Sequence, residues 1–322
     1  MNRFCSHMLG IAAALAAGLG CAQDYPGKPV KMIVPYAAGG MPDTMARLIG
    51  QRLNDSMNQQ FVVDNRGGAG GIAGTDAVAK SPADGYTLLI TDVGQIAINP
   101  FLYKKLPYDP IKDFTPVGLA GTSSLFLVAH PTVPANTLQE LVALVKSKPG
   151  QFNYGSAGTG SIHHLTMESF KTALGLDITH VPYKGSGQSV PALLGGQVNM
   201  LLTALPSMQV HVKSGKVKLL ATTTIKRSAQ EPDVPPIADL IPGFDFLAEV
   251  GVLAPAGTPA PVVAKLSAEI AKAVKHPEVV KRFTALGIDP VGSAPDAYAA
   301  NIRAALVKYE KAVKVSGAKA QD

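Results

Sequence analysis

From Val30 onward, short unbroken apolar runs alternate with segments whose apolar residues recur every three or four positions. The runs predict strands and the spaced segments predict helices; their alternation predicts parallel sheets with crossover helices. VKMIVPY (30–36) reads as a buried strand, followed by a helix capped by Asp43 with Met45, Leu48, Ile49 and Leu53 on one face. FVVDN (61–65) and YTLLITD (86–92) read as two more strands, separated by a glycine-rich turn and an alanine-rich helix. These form one βαβαβ unit.

The same logic recurs downstream without sequence repetition. LFLVAHP (125–131) reads as a strand, and Thr137-Leu-Gln-Glu140 as a capping box opening a helix that ends near Pro149. FNYGSAGTGS (152–161) and ITHVPYKGSG (178–187) each read as strand then glycine turn, and VNMLL (198–202) and VKLLATT (217–223) complete a second α/β set. The proline-rich stretch 231–243 interrupts the pattern, and FLAEVGVLAP (246–255) reads as a further strand. Thr258-Pro259 opens a helix that buries Val263, Leu266, Ile270 and Val274, and the last helix carries Tyr298, Ile302, Leu306, Tyr309 and Val313. Helices with so little strand cannot form a domain alone, so the tail is expected to pack back on the first α/β set. The chain then crosses between lobes near residues 124 and 246. The expected division is lobe 1 at 23–124 and 247–322, and lobe 2 at 125–246.

Residues 1–22 carry the zones of an export signal: Arg3, an apolar run from Met8 to Leu19, and small residues at Gly20 to Ala22. The run is too short to span a bilayer. Cleavage after Ala22 leaves a chain beginning Gln23-Asp24-Tyr25-Pro26; acylation of Cys21 as a lipoprotein is the other reading. Cys5 and Cys21 are the only cysteines, so the cleaved chain has no thiol, which excludes disulfides, thiolate metal sites and cysteine nucleophiles. Loss of Arg3 and of no acid lowers the formal charge from +6 to +5. The basic residues are spread out rather than blocked, which suits attraction of anions and not nucleic acid.

The chemistry concentrates in three loops: YAAGGMPD (36–43), YGSAGTGS (154–161) and YKGSGQS (183–189). Small residues at strand ends leave main-chain N–H groups and a helix N-terminus free for an anion, without an arginine. Glycines that merely make tight turns give the same pattern. Asp43 either accepts from a ligand or caps its helix. Ser156 and Ser161 either donate to a carboxylate or, for Ser161, cap. Tyr36, Tyr154 and Tyr183 either wall a pocket or close each lobe's core. His163 and His164 are adjacent, point about 100° apart on a helix and have no third ligand at metal spacing, so no metal is expected. Gly68 to Ala73 satisfies a relaxed dinucleotide fingerprint, with Asp84 or Asp92 downstream, and supports an alternative: an exported nucleotide-dependent oxidoreductase. No nucleophile elbow, Walker A loop, HExxH or carboxylate pair accompanies it, so no catalytic residue and no cofactor is expected.

VPYAAGGMPD, VVDNRGGAGGIAG, SPADGYTLL, LPYDPIKDFTPV, NYGSAGTGSIHHL and HVPYKGSG together resemble the tripartite tricarboxylate transporter receptor family, also called Bug proteins, over essentially the whole cleaved chain. The resemblance implies an α/β type II periplasmic binding protein fold, two lobes on two hinge strands closing over a small carboxylate. It implies ligand contacts from Tyr36, Ala37, Ala38, Gly39, Gly40 and Asp43 in lobe 1. In lobe 2 it implies Ser156, Ala157, Gly158, Ser161, His164, Tyr183, Lys184 and Gly185. Members often carry an aspartate after the GQV strand where this chain has Thr203; Thr203 is the last implied contact, and its lack of charge weakens the case for an amine-bearing ligand. The implied role is a monomeric periplasmic receptor, not an enzyme, serving inner-membrane permease subunits or a sensor kinase ectodomain.

Overall fold

The structure, a computed structural model, describes residues 25–319; the export signal, Cys5, Cys21 and the cleavage point at Ala22 lie outside the described residues. Strand β1 (Val30–Val34) lies between β2 (Phe61–Asn65) and β3 (Thr87–Thr91), all parallel, with crossovers α1 (Met41–Met57) and α2 (Ile72–Ala79). Four of the five residues of β1 are buried, as expected of a parallel strand covered on both faces. A π-helical turn, Gly94–Ile98, and the short α3 (Asn99–Leu102) follow β3.

Two long strands carry the chain between lobes. β9 (Leu247–Pro255) pairs antiparallel with β3 and with the first part of β4 (Phe114–Ala129). Pairing of β4 with β9 ends at Ser124↔Leu247, and from Leu125 onward β4 pairs instead with β7 (Met200–Ala204); from Phe126 it also pairs with β8 (Lys218–Thr222). β7 continues the second sheet in parallel through β5 (Phe152–Ser156) to β6 (Ile178–Pro182). Around that sheet lie α4 (Leu138–Ser147), α5 (Ile162–Leu174), α6 (Ser186–Leu194) and α7 (Gln209–Lys213). After β9 come α8 (Ala260–Lys275), α9 (Pro277–Ala285), β10 (Asp289–Pro290) beside β4, and α10 (Pro295–Ser316). The result is a two-lobed α/β fold on two hinge strands.

Four local expectations are corrected. Helix α1 begins at Met41 with Gly40 at its N-cap, and Asp43 lies inside the first turn, where its carboxylate accepts from the Gly39 amide at 2.9 Å. Asp43 therefore ties the incoming loop to the helix and does not cap it. The first half of β4 is invisible in the pattern because Pro116, Gly118 and Gly121 interrupt it, and register shifts sit at those residues. Thr258 donates to the Pro255 carbonyl at 2.7 Å, leaving Pro259 at the N-cap of α8. Finally, α10 does not stay on the first sheet. Tyr298 and Ile302 pack with Ile33, Leu89 and Leu253, while at its far end the Ser316 carbonyl accepts from Thr172 Oγ1 of α5 at 2.7 Å.

Candidate ligand-binding site

The buried run of β1 continues through Pro35 to Tyr36, whose ring turns into the core with its hydroxyl donating to Asp92 Oδ1 at 2.8 Å. Ala38 and Gly39 are exposed. Gly39 has φ +91°, which a side chain rarely tolerates, so glycine is needed for the chain to swing into α1. Asp43 is 4 % exposed; its Oδ2 accepts from Gly39 and from Arg47 Nε, while its Oδ1 lies 2.9 Å from Arg47 Nη2 as an ion pair and has no hydrogen-bond partner among the described residues. Helix α1 carries no side-chain cap. Its first-turn amides, with the positive end of the helix dipole, are left for other partners.

In the second lobe, the polar groups of the YGSAGTGS loop are spent internally. Ser156 Oγ accepts from the Gly158 amide at 3.0 Å and meets His180 Nε2 at 2.7 Å. Ser161 caps α5, accepting from the His164 amide at 3.3 Å, and donates to the Gly158 carbonyl at 2.6 Å. Ala157 is buried. His164 stacks on His180 at 4.3 Å between ring centres, and its Nδ1 accepts from the Gly160 amide at 3.3 Å. Tyr154 stacks on the other face of this group at 4.8 Å from His180 and donates to Glu168 at 2.6 Å. Burial holds the pKa of His164 down to about 4 and that of His180 to about 3, with nearby Lys171 acting in the same direction on both. These imidazoles are neutral packing pieces.

The third loop meets the first. The Ala37 amide donates to the Lys184 carbonyl at 2.8 Å, lobe to lobe. A Cβ on Gly185 would lie 2.8 Å from Ala37 N, one on Gly67 would lie 2.7 Å from the Lys184 carbonyl, and one on Gly187 would collide with the Ala38 carbonyl. A second seam joins Tyr103 Oη to the Thr159 carbonyl at 3.1 Å. The glycines thus permit backbone to touch backbone across the cleft. Two amides expected to be free are occupied: Ala37 by Lys184, and Gly39 by Asp43. Tyr183 is partly exposed, the Lys184 side chain is exposed, and Gly185 stands at the N-cap of α6, so this loop forms the rim where the lobes meet.

Behind the seam lies a small cavity of about 10 Å³, room for about one water, lined by Met41, Pro42, Asp92, His163, Ser186, Ala204, Ser207, Ala248 and Val250. Three helix first turns open onto it, those of α1 from one lobe and α5 and α6 from the other, and α6, like α1, lacks a side-chain cap. Its lining residues are sequence neighbours of the expected ones. His163 faces it where His164 was expected, Ser186 where Gly185 was, and Ala204 where Thr203 was. Thr203 is buried in β7 with its hydroxyl unpaired among the described residues. Burial lowers the pKa of His163 to about 4, so it brings no positive charge to the cavity at neutral pH. Asp92, just after β3, is 5 % exposed, and burial raises its pKa to about 6 against the opposing bonds from Gly94 and Tyr36.

The nucleotide alternative finds no room. The Gly70 carbonyl accepts from Gln95 Nε2 at 2.9 Å and Asn99 Nδ2 at 3.0 Å, and a Cβ on Gly70 would lie 2.6 Å from Tyr103 Oη. Protein atoms fill the space that a pyrophosphate would need, and Asp84 instead pairs with Lys28 at 3.5 Å. Among the described residues no His, Cys, Asp and Glu cluster could hold a metal ion, and no helix is long and apolar enough to cross a membrane.

Comparison with known proteins places the chain in a family. The family model described as tripartite tricarboxylate transporter family receptor matches residues 45–317. The periplasmic binding protein BugD superimposes with a TM-score of 0.89 at 33% identity, covering 92% of this chain and all of that one. The R. palustris protein Rpa4515 with adipate gives 0.88 at 34% identity, covering 91% of this chain and 98% of that one. MatC from Rhodopseudomonas palustris with bound malate gives 0.86 at 34% identity, covering 90% and 100%. The two-lobed architecture is that of the type II periplasmic binding proteins, and this chain belongs to the tripartite tricarboxylate transporter receptor family.

Proposed function

We propose that the protein is a periplasmic solute receptor that captures a small carboxylate-bearing organic anion and closes over it. Lobe 1 comprises residues 23–124 and 247–322 and lobe 2 residues 125–246, with β4 and β9 as hinges. The observation that carries this reading is the convergence of three helix first turns from both lobes on one enclosed cavity, with no side-chain cap on α1 or α6. Such ends bind anions through amides and dipole, which suits a carboxylate and needs no arginine. The cavity between the lobes is small, so a solute enters with the lobes apart and is enclosed as they close. Malate and adipate bound to two of the similar structures fit the same class of solute.

The role requires export, by cleavage after Ala22 or by acylation of Cys21, and delivery of the solute to permease subunits of a tripartite tricarboxylate transporter or to a sensor ectodomain. The receptor acts as a monomer and performs no chemistry on its ligand. Isothermal titration against mono-, di- and tricarboxylates tests this: binding without turnover is the expected result. Formation of product from any of them, or binding of none, contradicts it.

A further inference from the structure

A groove of about 490 Å³ lies between α1 and α9 in lobe 1 and shares no lining residue with the cleft cavity. Its volume is within the range of ligand sites. Leu48, Val279 and Ala285 give it apolar surface, and Arg52, Lys281 and Arg282 set three cations against the single carboxylate of Glu278. Arg52 is held in place: its Nη2 lies 2.9 Å from His276 Nε2, and its Nη1 lies 3.4 Å from Glu278 and 3.6 Å from Asp55. Lys281 and Arg282 are exposed and make no ion pair among the described residues. Two free cations beside a fixed arginine, with apolar surface between, suit a chain that carries several carboxylates.

The groove ends where the lobes meet. The Ala285 carbonyl, at the α9 end, accepts from Gln209 Nε2 of α7 in lobe 2. A Cβ on Gly287 would lie 2.8 Å from Leu205 Cδ1, so the chain leaving α9 also rests on lobe 2. Helix α7 buries none of its residues, and Val210, next to Gln209, is 75 % exposed. Groove and α7 therefore form one surface while the lobes are together. Resting on the receptor reading above, we infer that this surface docks a membrane partner, through an acidic segment that lies in the groove and reaches α7 across the Gln209 contact. Lobe opening parts Ala285 from Gln209 and divides the surface, so the partner senses whether the cleft is filled. By reciprocity, a docked segment also tightens the hold on solute.

The test is fluorescence anisotropy at low ionic strength with a labelled Glu-Glu-Leu-Glu-Glu peptide, with and without the tightest binder of the carboxylate panel. Solute is expected to tighten peptide binding at least about fivefold, the lower end of ordinary coupling between two sites. Lys281→Glu combined with Arg282→Glu is expected to weaken the peptide at least about tenfold and to leave solute affinity within about twofold of wild type. Gln209→Ala is expected to abolish the response to solute and to leave peptide binding to the empty receptor unchanged. Lys311→Glu combined with Lys314→Glu changes the net charge equally on α10 and is expected to leave peptide binding as in the wild type. Equal loss from both double variants, no peptide binding, or binding that ignores solute overturns the inference. So does capture of the wild type by phosphatidylglycerol vesicles in place of the peptide, which would make the groove a lipid surface. None of these outcomes touches the receptor reading. If no carboxylate binds the cleft, that reading fails, and this inference with it.

Discussion

The loops YAAGGMPD at 36–43 and YGSAGTGS at 154–161 are close in composition and both run from a strand into a helix, yet their polar groups are used in opposite ways. In the second, Ser156 and Ser161 are bonded within the loop and to the neighbouring His180, and α5 is capped. In the first, α1 is uncapped and Asp43 reaches back only as far as Gly39. A glycine-rich string therefore says that backbone comes close to something; the caps decide whether that something is solute or protein. On the proposed reading α1 and α6 serve the ligand, while the loop before α5 is a self-contained turn that sets His163 at the cavity.

Acid sharpens the comparison most, because several groups act together. Burial depresses the pKa of His163, His164 and His180, all in the second lobe, so the unfolded chain takes up protons before the folded one does. Their contribution to stability is complete above about pH 6.5 and is lost as pH falls toward 4. Asp92 in the first lobe works the other way. Its pKa is raised from 3.8 to about 6, so its contribution is complete below 3.8 and is lost as pH rises through 6. Three groups outweigh one, and denaturant melts between pH 7 and 4 should show a net loss of stability, with the second lobe losing amide-exchange protection first. Stability that is flat or rising over that range would contradict the assignment of buried neutral imidazoles.

Next in size is Gly187→Val. Its Cβ would strike the Ala38 carbonyl of the opposite lobe, while its backbone is ordinary helix. Overpacking of this kind costs about 1–3 kcal/mol, so affinity should fall roughly 10- to 100-fold with the melting temperature little changed. Gly158→Val should do the reverse. At φ +120°, with a Cβ 2.9 Å from the Tyr183 carbonyl, it strains the second lobe by about 1–3 kcal/mol and should lower the melting temperature by several degrees. Titration and thermal melts on both variants separate closure from folding, and an exchange of these phenotypes would refute the distinction. Smallest is Ser161→Ala, which removes the cap of α5 and should cost about 1 kcal/mol in stability with affinity within about twofold of wild type. A large loss of affinity would mean that Ser161 reaches the solute.

Much of the fold was legible in the sequence because buried strands and amphipathic helices have different periods. What escaped has physical causes. The first half of β4 was hidden by Pro116, Gly118 and Gly121, residues a bulged strand tolerates and a regular one does not. The packing of α10 against α5, where Thr172 Oγ1 also donates to the Ser316 carbonyl, joins segments far apart in the chain, for which no local pattern exists. At the site, glycine spacing identified the loops but not which residue faces inward. Helix phase settles that, turning His163 and Ser186 into the cavity and leaving His164 in the core. Asp92 sits at the end of β3 in a run that otherwise reads as core, and only the Tyr36 bond and the cavity wall mark it out.

A crystal structure of the protein purified with its solute, or soaked with the tightest binder of the titration panel, tests the central claim most directly. The account predicts a carboxylate between the lobes with its oxygens within hydrogen-bonding distance of first-turn amides of α1 and α6, at Met41 and at Ser186 or Gly187. A solute bound outside the cleft, for instance in the surface groove lined by Arg52, Lys281 and Arg282, or bound in the cleft with its acid group held by side chains while those amides face away, would contradict it.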